Sequence, residues 1–505
     1  MSNRQRIGLL ILAINLVAGF GALTARQLGE GYVSVWALRR WADVLQLWTA
    51  HDVASTTLAL TYPPLQNALL LLFYPVSGAV GPSLPYLFDT LAMAAVLTHF
   101  FWSARRACGD DRVAVGVLAA VMVHPFVLWA ATSGAGDGML VAEMYLLARA
   151  LPALAQPRSV RGSTAVGSAM ALMALSDPRF MFVVVAMIPC LPVLVNREAV
   201  QVSARSAYLL VFFPVVTVVG GYMYVNWLFM GSPFAFLTQT TSEFRGSFTA
   251  IEGTPWLRHY AGSFLGSGLI VLGMALLSFP VLALLIRACR ARGDRMRSLA
   301  ALTLVPVLGA ALATATVFLA HPVQLLVLLI APTLAGLVWA LEAGVRKPAL
   351  GALLLAGVLG GWGAFSWEAP DAQVRWTAAA LGRPSSVAFA GELALGVWLR
   401  ADSLTTLIDD HSAYPAIVAS GSAARLVLPP AQDFKVSTTL HMLVADQIAI
   451  PDPSSSIGHA DRLNQSFPLL YAKGQKGYTM VYDSGGWRVY RRVHDRRLLQ
   501  VPSAG

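Results

Sequence analysis

Charge is what this chain has least of. Asp, Glu, Lys and Arg make up 12% of its 505 residues, against about 25% in an ordinary soluble globule. With 56% hydrophobic residues and a mean hydropathy of +0.63, it cannot be water-soluble from end to end. Cysteine is almost missing. Cys108, Cys190 and Cys289 are too scattered for a disulfide framework and lack metal-ligand spacing. Lysine is confined to Lys347, Lys435, Lys473 and Lys476, so arginine carries the positive charge, a usage that points to a GC-rich bacterium. Although the net charge is +10, the cations sit between apolar runs and form no basic stripe on a soluble fold, which excludes nucleic acid as a partner. The first apolar run lacks a small-residue cleavage site before Arg26 and is expected to be a retained helix that doubles as the insertion signal. No internal repeat or low-complexity tract is evident.

What is present is a series of long apolar runs. Each is long enough to cross a hydrocarbon core of about 30 Å at 1.5 Å per residue. The expected fold is a polytopic α-helical membrane protein of about eleven spans, near 6–25, 84–104, 113–131, 138–155, 162–176, 180–196, 206–228, 262–287, 299–320, 322–341 and 349–366. This threading puts six cationic clusters on one side: Arg4/Arg6, Arg105/Arg106/Arg112, Arg158/Arg161, Arg197/Arg205, the five arginines from Arg287 to Arg297, and Arg346/Lys347. By the positive-inside rule that side is the cytoplasm. The N-terminus is then inside, and everything after about Trp367 is outside, in a bacterial inner membrane.

The opposite face carries the long connections, where chemistry on a rigid scaffold is commonly held. In the first of these, Val33, Trp36, Ala37, Trp41, Val44, Leu45 and Trp48 recur at helical spacing, with Arg39, Asp43 and Gln46 on the other side. This predicts an amphipathic helix lying in the interface. Leu65 to Val76, opened by Tyr62-Pro63-Pro64, is too short to span and predicts a second juxtamembrane helix with proline in its first turn. The chain divides into a transmembrane domain, 1–366, and an external α/β domain, 367–505. In the latter, strands are expected at 405–408, 425–428 and 447–450, a helix through Tyr414 to Ala419, another around 437–444, and a hairpin pairing 478–482 with 487–491. Asn464-Gln465-Ser466 matches a glycosylation sequon, a three-residue pattern frequent by chance.

Several external polar residues could carry chemistry. Glu30, in Gly29-Glu30-Gly31-Tyr32, is either a solvated loop carboxylate or a general base at the membrane surface. His51-Asp52 follows in the same loop, where such a pair is more often a turn or cap than a catalytic dyad. Asp137 opens a helix and is read as its N-cap; that helix terminus would also attract an anion. Arg179, in Ser176-Asp177-Pro178-Arg179, is placed at the depth of a lipid phosphate, where many arginines merely snorkel. Arg245, Arg258 and His321 are further candidates for a phosphate clamp.

Taken in order, these pieces resemble the GT-C superfamily of membrane glycosyltransferases, users of polyprenyl-phosphate sugars that include protein mannosyltransferase-like and aminoarabinose transferase-like enzymes. The resemblance rests on Glu30 and Tyr32 after the first span, Tyr62-Pro63-Pro64-Leu65, Gly136-Asp137-Gly138, Asp177-Pro178-Arg179, the segment Asn226 to Phe234, and an external C-terminal domain. Many members carry an acidic pair where Glu30 here stands alone. The resemblance implies an inverting transfer of sugar from a polyprenyl-phosphate donor to a hydroxyl of a glycan, lipid or protein. It places Glu30 as base with Asp52 and Asp137 in support, and Arg179, Arg245 and Arg258 with His51, His321, Tyr32 and Tyr62 around the substrate. It leaves a divalent metal optional. Two other readings stay open: a non-catalytic assembly or glycan-binding protein, and a transporter of lipid-linked sugars. Against transport, Asp89 and Glu143 are the few charges within apolar runs, and both fall near span ends.

Overall fold

In the computed structural model the described residues are 3–50, 62–155, 160–195, 197–238, 264–284, 326–367, 369–385, 389–441, 443–474 and 477–493. The chain divides into two compact units. The first comprises Met1–Ala37 and Thr61–Ser386, the second Leu38–Leu60 and Val387–Gly505.

The first unit is helical. It contains α1 (Asn3–Gly29), the start of α2 (Val35–Thr49), α3 (Pro64–Ser77), α4 (Leu84–Cys108), α5 (Asp111–Met122), α6 (Pro125–Thr132) and α7 (Asp137–Ala150). These are followed by α8 (Val160–Ser176), α9 (Phe180–Leu194), α10 (Arg197–Met230), α11 (Phe264–Ser278), α12 (Ile330–Glu342), α13 (Lys347–Ser366) and α14 (Asp371–Ala380). Among the described residues four helices are long and apolar enough to cross a membrane: Asn3–Gly29, Val80–Cys108, Ser203–Met230 and Lys347–Ser366. The expected span at 113–131 is broken. α5 and α6 meet at 71°, because Pro125 opens a new helix and holds His124 in extended backbone. The expected span at 299–320 lies outside the described residues.

An aromatic core of Phe126, Trp129, Phe365 and Trp376 joins α6, α13 and α14, with ring centroids 5.4 to 5.7 Å apart. Trp376 is fully buried and spends its indole N–H on Thr132 Oγ1, 3.1 Å away, as a buried indole requires. Gly138 marks a close helix approach. A Cβ there would lie 2.7 Å from the carbonyl oxygens of Ala130 and Asp89, so only glycine lets α7 sit against α4 and α6.

The second unit holds most of α2, then α15 (Ala390–Ala401), β1 (Thr406–Leu407), α16 (Asp410–Ser420), β2 (Leu426–Val427), α17 (Gln432–Leu440), β3 (Gln447–Pro451), α18 (Ser456–Ala460), α19 (Arg462–Ser466), β4 (Tyr478–Ser484) and β5 (Trp487–Arg492). Its sheet runs in the order β2-β1-β3-β5-β4. β1 is parallel to β2 and β3, while β5 is antiparallel to β3 and β4. α17 starts at Gln432, directly behind Pro429-Pro430, and ends before the residues expected to complete it.

One expectation fails here. Arg39, Asp43 and Gln46 of α2 are buried along with Ala37, Trp41, Val44 and Leu45, while Trp48 is exposed, so these polar residues do not face water. Asn464 is also buried, and its side-chain N–H groups donate to the carbonyls of Pro451 (3.0 Å) and Gly458 (2.8 Å). The amide that a glycan would need is part of the fold.

Candidate functional site

The polar groups of the first unit concentrate where α1 ends, α7 begins and α8 turns into α9. Asp89, fully buried on α4, accepts from the backbone N–H groups of Gly136 (2.9 Å), Gly138 (3.1 Å) and Met139 (3.4 Å). It therefore satisfies the orphan donors of the α7 N-terminus. The N-cap position itself is Gly136, and Asp137, expected to cap this helix, does not. Its carboxylate is turned to other work. Oδ2 accepts from Trp129 Nε1 at 2.7 Å and Oδ1 from Arg179 Nη2 at 2.5 Å.

Arg179 is held still more firmly by its own turn. Asp177 Oδ1 accepts from the backbone N–H and the Nε of Arg179, both at 2.8 Å, and Oδ2 from Nη2 at 2.6 Å. The guanidinium fork thus meets Asp177 bidentately and Asp137 beside it. Burial disfavours the charged form of Arg179, but the two carboxylates outweigh burial and raise its pKa. Arg179, expected at the depth of a lipid phosphate, is a cation flanked here by two buried carboxylates. It is the keystone joining the α7 N-terminus to the α8–α9 turn. Below it, Ser176 Oγ donates to Glu143, and Gln66 Nε2 donates to the Ser176 carbonyl at 2.9 Å.

The two tyrosines expected around a substrate are also hydrogen-bonded to the backbone. Tyr32 is buried and donates to the Ser133 carbonyl at 3.2 Å; Tyr62 is buried and donates to that of Ala174 at 2.8 Å. Burial pushes the Tyr32 phenol well above its usual range, so it stays a hydrogen-bond donor.

Glu30 differs from these acids. It sits on the turn after α1, its N–H bonded to the Arg26 carbonyl (2.9 Å) and its own carbonyl accepting from Ser385 (2.8 Å). The segment after α14 is drawn in by Gly382, at φ +73°, where a Cβ would lie 2.0 Å from Arg26 Nη2. Backbone of α1 and of the segment after α14 therefore fixes Glu30, while the residue stays half-buried. His51, Asp52, Arg245, Arg258 and His321 lie outside the described residues.

Sequence reasoning missed Asp89 as the cap, and Arg375. The signal for Asp89 was a carboxylate within an apolar run. Arg375, on α14, acts electrostatically on the Tyr32 phenol, and its buried Nε has no partner among the described residues. Nearby in the chain, both amide atoms of Gln27 are buried and equally without partners among them. Tyr32 binds the Gln27 carbonyl through its backbone N–H, 3.0 Å, so Gln27, Tyr32 and Arg375 share one end of the unit. Among the described residues no three His, Cys, Asp or Glu side chains converge as metal ligands.

No family model and no curated protein matches the sequence. Among solved structures, ArnT from Cupriavidus metallidurans, determined with undecaprenyl phosphate bound, matches with a TM-score of 0.54 over 95% of this chain and 98% of that one, at 13% identity. The chain has the GT-C fold. The archaeal oligosaccharyltransferase AglB from Archaeoglobus fulgidus, solved with an inhibitory peptide and a dolichol-phosphate, matches with a TM-score of 0.42 at 10% identity, over 95% of this chain and 74% of that one.

Proposed function

We propose that this GT-C chain is an inverting glycosyltransferase that moves a sugar from a polyprenyl phosphate to a hydroxyl acceptor at the outer face of the membrane. One observation carries the reading. Glu30 keeps a half-exposed carboxylate at an end of the first unit where Asp89, Asp137 and Asp177 are buried and committed to hydrogen bonds. The buried acids build a rigid frame, and the half-buried Glu30 is the one left to take a proton.

The acceptor O–H gives its proton to the Glu30 carboxylate as its oxygen bonds to the anomeric carbon. The bond from that carbon to the phosphate oxygen breaks on the opposite face, and the electron pair leaves with the polyprenyl phosphate. Charge building on the departing phosphate needs a cation that is not already neutralised. Among the described residues Arg375 fits that need better than Arg179, since a guanidinium matches phosphate bidentately and stays protonated. Asp137 supports the site by holding Arg179 and Trp129. Arg245 and Arg258 stay as proposed additional phosphate contacts, and His51, Asp52 and His321 as proposed neighbours of the substrate. The acceptor is a glycan, lipid or protein hydroxyl.

The test is transfer by the purified full-length chain from an undecaprenyl-phosphate-linked sugar. Glu30→Gln should lower the rate by about 10²- to 10⁴-fold, the usual worth of a general base, with an unchanged melting temperature. Transfer at the wild-type rate in that variant overturns the assignment of Glu30.

A further inference from the structure

We infer that the first unit binds an ordered water molecule where two of its broken helices meet, held by His124, Ser278 and Thr333. These three residues line one cavity of about 30 Å³ among α5, α6, α11, α12 and α13. Two prolines make the breaks. α5 stops short of Pro125, and α11 stops at Ser278, two residues before Pro280. A continuing helix would give the Ser278 carbonyl to the N–H of Leu282, but that N–H bonds the Phe279 carbonyl instead, at 2.9 Å. His124 Nε2 takes the freed Ser278 carbonyl at 2.9 Å. The imidazole is stacked on Phe279, ring centroids 4.8 Å apart. Gly361 makes room for it, since a Cβ there would lie 2.7 Å from Nε2.

A carbonyl only accepts, so Nε2 carries the ring proton and Nδ1 is left as an acceptor. Nδ1, Ser278 Oγ and Thr333 Oγ1 are all buried and have no partner among the described residues. His124, Ser278 and Thr333 are 7%, 1% and 9% exposed, so bulk solvent does not serve them. Buried polar groups are as a rule hydrogen-bonded, through water where the protein supplies no partner. The lining chemistry selects the ligand. No Asp, Glu, Lys or Arg lines the cavity, and a bound ion would therefore be a buried charge without a counter-charge. The ligand must be neutral, donate to Nδ1 and accept from a hydroxyl. A water needs at least about 10–15 Å³ of such space and ordinarily makes about three hydrogen bonds, which matches both the volume and the three side chains. The water then ties α6, α11 and α12 together at a point where the helical backbone bonding is interrupted.

Cryo-electron microscopy of the full-length chain in lipid nanodiscs, at a resolution that shows ordered water, tests this directly. A discrete peak should lie about 2.7–3.2 Å from His124 Nδ1 and from at least one of the two hydroxyls. A map without that peak overturns the site, as does continuous density of an acyl chain through the cavity. Thermal melts in one detergent give a second readout. Thr333→Val removes one hydroxyl and keeps the branched shape, and it should melt below wild type, because a hydrated hydroxyl is lost. A dry hydroxyl predicts the opposite sign, since removing an unsatisfied buried group stabilises. In a Ser278→Ala background the drop caused by Thr333→Val should shrink, because both hydroxyls serve one water. A Thr333→Val protein that melts at or above wild type overturns the proposal, and so does an equal drop in the two backgrounds. Should the double variant fail to fold, the wild-type map decides.

Discussion

Arg179, expected at a phosphate, is tied into the fold by its own turn. Three of its hydrogen bonds go to Asp177 and one to Asp137, and all three residues are buried. Removing one partner from a buried ion pair leaves an uncompensated charge and costs about 3–5 kcal/mol. Arg179→Ala should therefore melt well below wild type, because it strands two carboxylates. Arg179→Lys should fall between them, since lysine restores the charge but not the fork. Asp137→Asn should be milder still, with Asp177 left to neutralise the guanidinium. Thermal melts of the three variants in one detergent check the order. A phosphate-binding Arg179 predicts the opposite pattern, with melting temperatures preserved and donor affinity lost.

At the scale of elements, what could be read in the sequence was what depends on local periodicity. The hydropathy pattern placed α1, α4, α10 and α13, and the alternation of the tail placed β1, β2, β3 and the hairpin of β4 and β5. What escaped was set by contacts remote in sequence. Asp89 caps a helix that begins 48 residues later, a pairing that no local signal announces, and α2 hides its polar side where helical periodicity alone implied solvent. The bend between α5 and α6 had a visible cause in Pro125, outweighed by the continuous apolar run around it. The junction of β1 and α16 holds another feature that only packing creates. Burial, reinforced by Asp409, pushes Asp410 up to about 7, against the pull of Arg462 and Arg39. Burial and Asp409 likewise push Asp461 up to about 7, against the hydroxyl of Ser412. In the unfolded chain both would titrate near 4. The folded state therefore binds more protons than the unfolded one between about pH 4 and 7, and the stability these acids contribute is lost as the pH rises through that window. Hydrogen exchange in the full chain, corrected for the intrinsic rate, should show residues 406–420 better protected at pH 5 than at pH 8. Asp410→Asn should flatten that slope, and an equal slope in the variant refutes the assignment.

Across the whole molecule, the reading of function depends on which face of the membrane carries Glu30. The cations supply the argument. Arg4, Arg6, Arg105, Arg106, Arg112, Arg346 and Lys347 belong to the α1 start, the α4–α5 turn and the α12–α13 turn. Lys347 and Asp110 are joined at 2.9 Å, so two of these turns share one end of the first unit. Glu30 and Ser385 mark the other end, where backbone hydrogen bonding joins the turn after α1 to the segment after α14. On the proposed reading the positive-inside rule makes the first end cytoplasmic and puts Glu30 at the outer face. A reporter fused after residue 493 should therefore be active as a phosphatase that needs the oxidising exterior and dark as a fluorescent protein that needs the cytoplasm, with the reverse result for a fusion at the N-terminus. A cytoplasmic reading at the C-terminal fusion would turn the first unit over, place Glu30 on the cytoplasmic face and remove the acceptor side on which the transfer depends.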